Sequence, residues 1–208
     1  MRPKLILVRH GETEGQSSIR YHGRTDVALS DLGRAQMRAA RNAILRHHGS
    51  LSFTHVFSSP LIRASEGARL IVGHSIELSM LEEFAEVHFG LFEGLTAEEI
   101  RDRYPVQYEE WSADRLGPTY TYPEGESRAA FAERVAKGIE QMLMLWSPEP
   151  GVESSALLVA HRGVIRTVVH HLTGHQPTVD LGSIQIIELH ETWQPSMLDH
   201  IDHLKNLI

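Results

Sequence analysis

Leu5-Ile6-Leu7-Val8-Arg9-His10-Gly11-Glu12 decides the reading of this 208-residue chain. Four consecutive apolar residues predict a strand buried on both faces. The strand runs out into a basic side chain, an imidazole and a flexible backbone position. In open α/β sheets ligands bind at the carboxyl ends of the strands, so Arg9 and His10 stand where chemistry is expected. A second stretch has the same form: Leu157-Leu158-Val159-Ala160 leads into His161, with Gly163 close behind. If the two strands are parallel neighbours, their histidines converge on one rim.

Elsewhere, strand-like and helix-like apolar patterns alternate, which predicts an α/β fold. Ser30 reads as the cap of a helix carrying Leu32, Ala35, Ala39 and Ala43 and ending near Gly49. Val56-Phe57 marks a second strand. Ser59-Pro60 is expected to open a helix with proline at its first position, with Leu61, Ala64, Ala68 and Ile71 on one face and Arg63 in its first turn. Ile76 to Leu78 reads as a short third strand. Thr96 and Glu99 fit a capping box for a helix running to Tyr104-Pro105, whereas Ser112 to Pro123 lacks a period and reads as a surface excursion. Ser127 starts the clearest amphipathic helix, with Phe131, Val135, Ile139, Met142 and Trp146 at helical spacing. A helix with Ile165, Val168 and Leu172 follows the strand Ala156 to Ala160, and Ile184 to Leu189 is expected to be the last strand. No repeat or linker interrupts the pattern, so one domain over residues 1–208 is expected.

Composition narrows the function. The net charge of −7 argues against general nucleic-acid binding, although a few clustered arginines can still make a local positive pocket. The absence of cysteine rules out disulfides and thiol chemistry. The first apolar run is too short for the core of a signal peptide, and no stretch approaches a membrane span, so a cytoplasmic protein with no membrane partner is expected. Fourteen histidines raise the question of a metal. His47-His48 and His170-His171 are adjacent and point apart on a helix, Gly174 separates His171 from His175, and no His-Glu-x-x-His appears. His190, His200 and His203 read as exposed residues of the C-terminal segment. Neither a metal nor a cofactor is expected.

A lone strand-end histidine is ordinarily structural; two in matching contexts, with Arg9 and Arg63 able to reach the same rim, point to a phosphoryl group. Guanidinium forks match phosphate oxygens and stay charged. A neutral imidazole can attack phosphorus and split one difficult transfer into two easier ones. The fixed positive charges then stabilise the transition state as a metal ion does elsewhere. The leaving oxygen needs a proton, which a carboxylic acid of raised pKa can give. Glu82, Glu83, Glu86 and Glu93 are all in range, and spacing alone does not choose among them.

Leu5 to Thr13, Ser58-Ser59-Pro60-Leu61-x-Arg63-Ala64, Glu86-Val87-His88-Phe89-Gly90-Leu91-Phe92-Glu93-Gly94 and Ala160-His161-Arg162-Gly163 occur in that order. In this the chain resembles the histidine phosphatase superfamily, in its phosphoglycerate mutase-like branch. The resemblance implies a three-layer α/β/α sandwich around a mostly parallel central sheet, and a phosphohistidine intermediate. It implies His10 as nucleophile, Arg9, Arg63 and His161 as the groups holding the phosphoryl, Thr13 as a hydroxyl contact and Glu86 as proton donor. Gly125-Glu126-Ser127 matches a further element whose role is more structural. Gln16 stands where relatives often carry asparagine, and His22, before Gly23, where they often carry an amide or threonine; Gln16, His22 and Gly23 are expected to shape the anion pocket. Arg162 stands where a small residue is common, and either adds charge near the substrate or points away. Gly67 replaces a commonly seen threonine.

The activity implied is a metal-independent phosphatase acting on a small phosphorylated metabolite. The alternatives are a phosphoglycerate mutase and a catalytically inactive phospho-ligand-binding module. Substrate choice is expected to rest on Gln16 to Arg24 and Arg101 to Glu126. The oligomeric state stays open, with a homodimer as one option.

Overall fold

The first strand, β1 (Lys4–Arg9), is fully buried from Leu5 to Val8 because both of its faces are covered. Its side chains alternate between two separate cores, as the period of a strand requires. Leu5 and Leu7 enter one, and Ile6 and Val8 enter the other. The computed structural model describes residues 2–15, 19–114, 117, 119–205 and 207.

Six strands form one sheet in the order β3-β2-β4-β1-β5-β6. β2 (His55–Ser58), β3 (Ser79–Met80) and β4 (Ser155–Ala160) run parallel to β1, and β5 (Ile184–Leu189) is antiparallel to it. β6 (Trp193–His200) pairs antiparallel with β5 at the edge. The sheet is therefore mostly parallel, with a hairpin added on one side. One core packs α1 (Asp31–His48) and α2 (Ile62–Val72) onto the face carrying Ile6, Val56 and Val159. The other packs α5 (Arg128–Trp146) and α6 (Arg162–Thr173) onto Leu7, Phe57 and Leu158. Also on this face lie Ile100 of α3 (Ala97–Arg103) and Trp111 of α4 (Pro105–Ala113). This is the three-layer arrangement the sequence implied.

The helix boundaries follow local chemistry. Ser30 and Ser127 accept hydrogen bonds from Gly33 N and Ala130 N, Thr96 and Glu99 form the full capping box, and Gly49 ends α1 in the left-handed conformation. All five residues of the α5 stripe are buried.

Four expectations are corrected. α2 begins at Ile62 with Leu61 as N-cap, so Pro60 lies before its first turn; Leu61 N–H is satisfied by Ser59 Oγ instead. The third strand is Ser79–Met80 and not Ile76 to Leu78, because pairing with Phe57 and Ser58 sets its register. The aperiodic stretch starts later than expected: Pro105 sits at the first position of α4, which continues to Ala113. β5 is not the last strand. β6 was hidden by Pro195 and by its polar residues, which an edge strand tolerates.

Replacing Ser127 by alanine removes the cap of the longest helix and is expected to cost about 1 kcal/mol. A thermal unfolding scan should show Tm lower by roughly 2–4 °C.

Candidate active site

β1 and β4 pair in parallel register with Arg9 opposite Ala160, so the next residue of each strand is a histidine. His10 N–H donates to Ala160 O at 3.0 Å, which carries the ladder one step past the strands. The two imidazoles meet edge to face with ring centres 5.1 Å apart, and both are buried. The convergence expected from sequence is thus a direct result of the register.

The hydrogen bonds around each ring assign its tautomer. His10 Nδ1 lies 2.7 Å from Gly11 O, an acceptor only, so Nδ1 carries the proton and Nε2 keeps its lone pair. His161 Nε2 lies 2.7 Å from Ser59 Oγ, which already accepts from Leu61 N–H. With the Ser59 hydroxyl donating to Nε2, the His161 proton sits on Nδ1, a buried atom without a hydrogen-bond partner among the described residues. Burial holds both imidazoles well below their ordinary pKa, and the nearby Arg63 and Arg9 charges push the same way. Both rings are therefore neutral near pH 7. The sequence reading gave Ser59 only the opening of a helix and no part in the site, although it stands inside the Ser-Ser-Pro-Leu motif.

Arg63 is fully buried in the first turn of α2. Its Nη1 donates to Thr25 O at 2.8 Å, and its Nη2 to His22 O and Gly23 O at 2.9 and 2.7 Å. Arg9 donates from Nη1 to Val179 O at 3.0 Å. Burial and the Arg162 charge bring the Arg9 pKa down to about 10, still charged at neutral pH. The Nε atoms of Arg9 and Arg63 are buried without a partner, and neither side chain has an ion-pair partner among the described residues. Uncompensated positive charge and unused N–H donors beside two neutral imidazoles make a place for an anion.

The structure separates the four glutamates. Glu86 is buried and lines a cavity of about 640 Å³ together with Arg9 and His10. Its carboxylate accepts from Val87 N–H at 3.0 Å and from Gly163 N–H, at the start of α6, at 3.2 Å. A side chain at position 163 would stand 2.6 Å from Glu86 Oε1, so this approach needs glycine. Glu93 has a different task. It accepts from the backbone N–H groups of Gly23, Arg24, Thr25 and Phe89 and from Thr25 Oγ1, fixing the loop whose carbonyls hold Arg63. Burial pushes its pKa up, but these hydrogen bonds outweigh it and leave it lowered. Glu82 and Glu83 lie in a short 3-10 turn and do not line the cavity. Glu126 pairs with Arg134, which also donates to Glu83 O and Ala85 O and so braces the approach to Glu86.

The remaining expected contacts divide. His22 and Arg162 line the cavity, and Arg162 is turned outward to Asp180, at 3.1 Å, and to Val179 O. Gly23 and Thr13 are buried and do not line it. A Cβ on Gly23 would come within 2.1 Å of Val87 O, so its part is close backbone approach. Gln16 lies outside the described residues. Sequence reasoning missed Val179, whose carbonyl accepts from both Arg9 and Arg162. Val179 has φ 59°, a left-handed conformation that is costly for a β-branched residue. Asp199 on β6 holds it there, accepting from Thr178 N–H and Val179 N–H at 2.9 Å each. The C-terminal histidines were also misread. His203 Nε2 bonds Gly182 O and its ring stacks on His200, which in turn meets His47.

Known proteins carry the same architecture. The model of the histidine phosphatase superfamily (branch 1) matches residues 5–194. A bifunctional protein of Mycobacterium tuberculosis is 30% identical over 190 residues, which is 90% of this chain and 47% of that protein. The chain thus spans about half the length of the curated relatives it matches first. The glucosyl-3-phosphoglycerate phosphatase of Mycolicibacterium vanbaalenii is 30% identical over 175 residues, 82% of this chain and 74% of that enzyme. In fold, the solved alpha-ribazole phosphatase of Shigella flexneri superposes with a TM-score of 0.81 at 24% identity, covering 95% of this chain and 96% of that one.

The neutral imidazoles tie stability to pH. An unfolded histidine titrates near 6.5, whereas His10 and His161 resist protonation in the folded state. Below pH 6.5 the unfolded chain therefore binds protons that the native protein does not, and stability falls as pH falls. Each such group contributes up to about 1.4 kcal/mol per pH unit in that window. Urea unfolding between pH 6 and 5 should show that slope reduced by about one histidine's share in His161→Asn. An unchanged slope would mean that His161 is already charged in the folded protein.

Proposed function

Since the chain belongs to the histidine phosphatase superfamily, we propose that it is a metal-independent phosphatase that hydrolyses a small phosphomonoester through a phosphohistidine on His10. The observation that carries this reading is the Nδ1–H bond of His10 to Gly11 O. It leaves the Nε2 lone pair free on a ring that meets His161 at 5.1 Å and feels the charges of Arg63 and Arg9, and Arg9 Nε, Arg63 Nε and His161 Nδ1 are themselves buried without partners among the described residues.

In the first step Nε2 of His10 bonds to phosphorus as the bond to the leaving oxygen breaks. Protonated Glu86 delivers its proton to that oxygen, so an alcohol departs and a carboxylate remains. Arg9, Arg63 and His161 Nδ1–H hold the equatorial phosphoryl oxygens. In the second step water attacks phosphorus, Glu86 takes one of its protons, and the P–N bond breaks. Phosphate leaves and His10 returns to its neutral form. The placement of Glu86 on the cavity supports its assignment over Glu82, Glu83 and Glu93. The named phosphatase relative supports hydrolysis as the outcome. The likeness to phosphoglycerate mutases remains the alternative, with the phosphoryl group returned to an organic acceptor.

Phosphate release from an alkyl phosphate should persist in excess chelator and fall below detection in His10→Ala. A quench with base should trap label on His10 that is lost in acid. Glu86→Gln should lower kcat/KM, which reports the first step, by roughly 10²–10⁴ on an alkyl phosphate, and much less on p-nitrophenyl phosphate, whose leaving group needs no proton. Conversion of 3-phosphoglycerate to 2-phosphoglycerate faster than phosphate release would overturn the hydrolase in favour of the mutase.

A further inference from the structure

Part of the cavity wall comes from chain that the family match does not reach. Ile201, Leu204 and Lys205 line it, and the match ends at residue 194. The C-terminal stretch arrives there because β6 turns the chain back along β5, after which a 3-10 turn (Asp202–Leu204) packs against α1. Ile19, Tyr21 and Phe89 contribute apolar lining from the other loops, and the Tyr21 and Phe89 rings meet edge to face at 5.3 Å. Ile19 and Ile201 both line the cavity and are 55% and 42% exposed among the described residues, so apolar surface is open to a ligand there.

Charge is distributed unevenly along the same cavity. Arg9 lines it with no ion-pair partner among the described residues, and the buried Arg63, which does not itself line the cavity, has none either. The other lining cations are each paired: Arg162, which shares Val179 O with Arg9, with Asp180 at 3.1 Å, Arg20 with Glu99 on two hydrogen bonds, and Lys205 with Asp202 at 2.8 Å. Glu12 also lines the cavity, and its carboxylate accepts from Ser30 Oγ with no cationic partner among the described residues. One anion is provided for, and among the described lining residues a second would meet no cation free of a carboxylate. The cavity, at about 640 Å³, is also roomy for a three-carbon acid.

We propose that the substrate is the phosphate monoester of an uncharged alcohol with an extended apolar part, and that Ile201 and Leu204 of the C-terminal segment select it. This rests on the reading that the His10 end receives the phosphoryl group. A carboxylate-bearing leaving group such as glycerate is disfavoured by the same arrangement, because among the described lining residues no cation beyond Arg9 lacks a carboxylate partner.

Alkyl phosphates test this with the chemical step held constant, since primary alcohols leave with similar acidity. Hexyl phosphate should exceed ethyl phosphate in kcat/KM by at least about tenfold, mostly through KM, because each buried methylene is worth roughly fourfold. Propyl phosphate should exceed 3-phosphoglycerate by a similar factor. Ile201→Ser, at an exposed position that folding does not depend on, should cut the hexyl-to-ethyl ratio about fivefold. Calorimetric titration with hexylphosphonate and ethylphosphonate, which are not hydrolysed, gives the same ranking independently of turnover. Equal binding of the two phosphonates, preference for 3-phosphoglycerate, or an Ile201→Ser ratio equal to that of the parent would each overturn the proposal. Tight, chain-length-dependent phosphonate binding without any phosphate release would support the apolar subsite and overturn the hydrolase reading instead.

Discussion

A guanidinium buried without a carboxylate partner is expensive to keep charged, and Arg63 is such a group. Three backbone carbonyls, those of His22, Gly23 and Thr25, take the place of the missing anion. Backbone dipoles can do this only if the peptide planes of the loop are turned inward together. Glu93 enforces that turn from the opposite side by accepting the N–H groups of Gly23, Arg24 and Thr25. The loop is thus oriented between a cation and an anion that do not themselves form an ion pair. Burial is the main reason that His10 and His161 stay neutral; because carbonyl dipoles solvate a charge without cancelling it, the positive potential of Arg63 reaches both rings and adds to that effect.

The strands explain how much of this was legible in the sequence. β1 and β4 carry short uninterrupted apolar runs that lead into a histidine, as strands covered on both faces do, whereas their parallel pairing was a condition that only the sheet supplies. Arg63 was legible as a first-turn residue after a strand. The choice of Glu86 over its neighbours rested on resemblance, since a loop carries no period that says which carboxylate turns inward. Val179 and Asp199 were invisible for a related reason. Their contribution is a backbone carbonyl and the side chain that fixes its direction, and neither leaves a signature in residue type. β6 escaped because an edge strand can carry Pro195 and polar residues that a central strand cannot.

The same asymmetry appears in where the two halves of the cavity come from. The charged end is built from strand termini and a helix start, which the hydrogen-bonded ladder holds rigidly. The apolar end is built from loops and from the 3-10 turn after β6. Alterations there leave the sheet and its ladder untouched, whereas a one-residue slip in β1 or β4 would turn that strand's histidine to the other face and part it from its partner ring.

The neutral rings of His10 and His161 also make ligand capture a proton-coupled event. Their low basicity in the empty site comes from burial and from two nearby positive charges. An anion seated among Arg9, Arg63 and the rings counters those charges and raises the basicity of both imidazoles. Linkage then requires the reverse: acidification tightens the hold on inorganic phosphate. Under the proposed hydrolysis phosphate is the product, so throughput at low pH would be governed by its release as much as by attack on the ester.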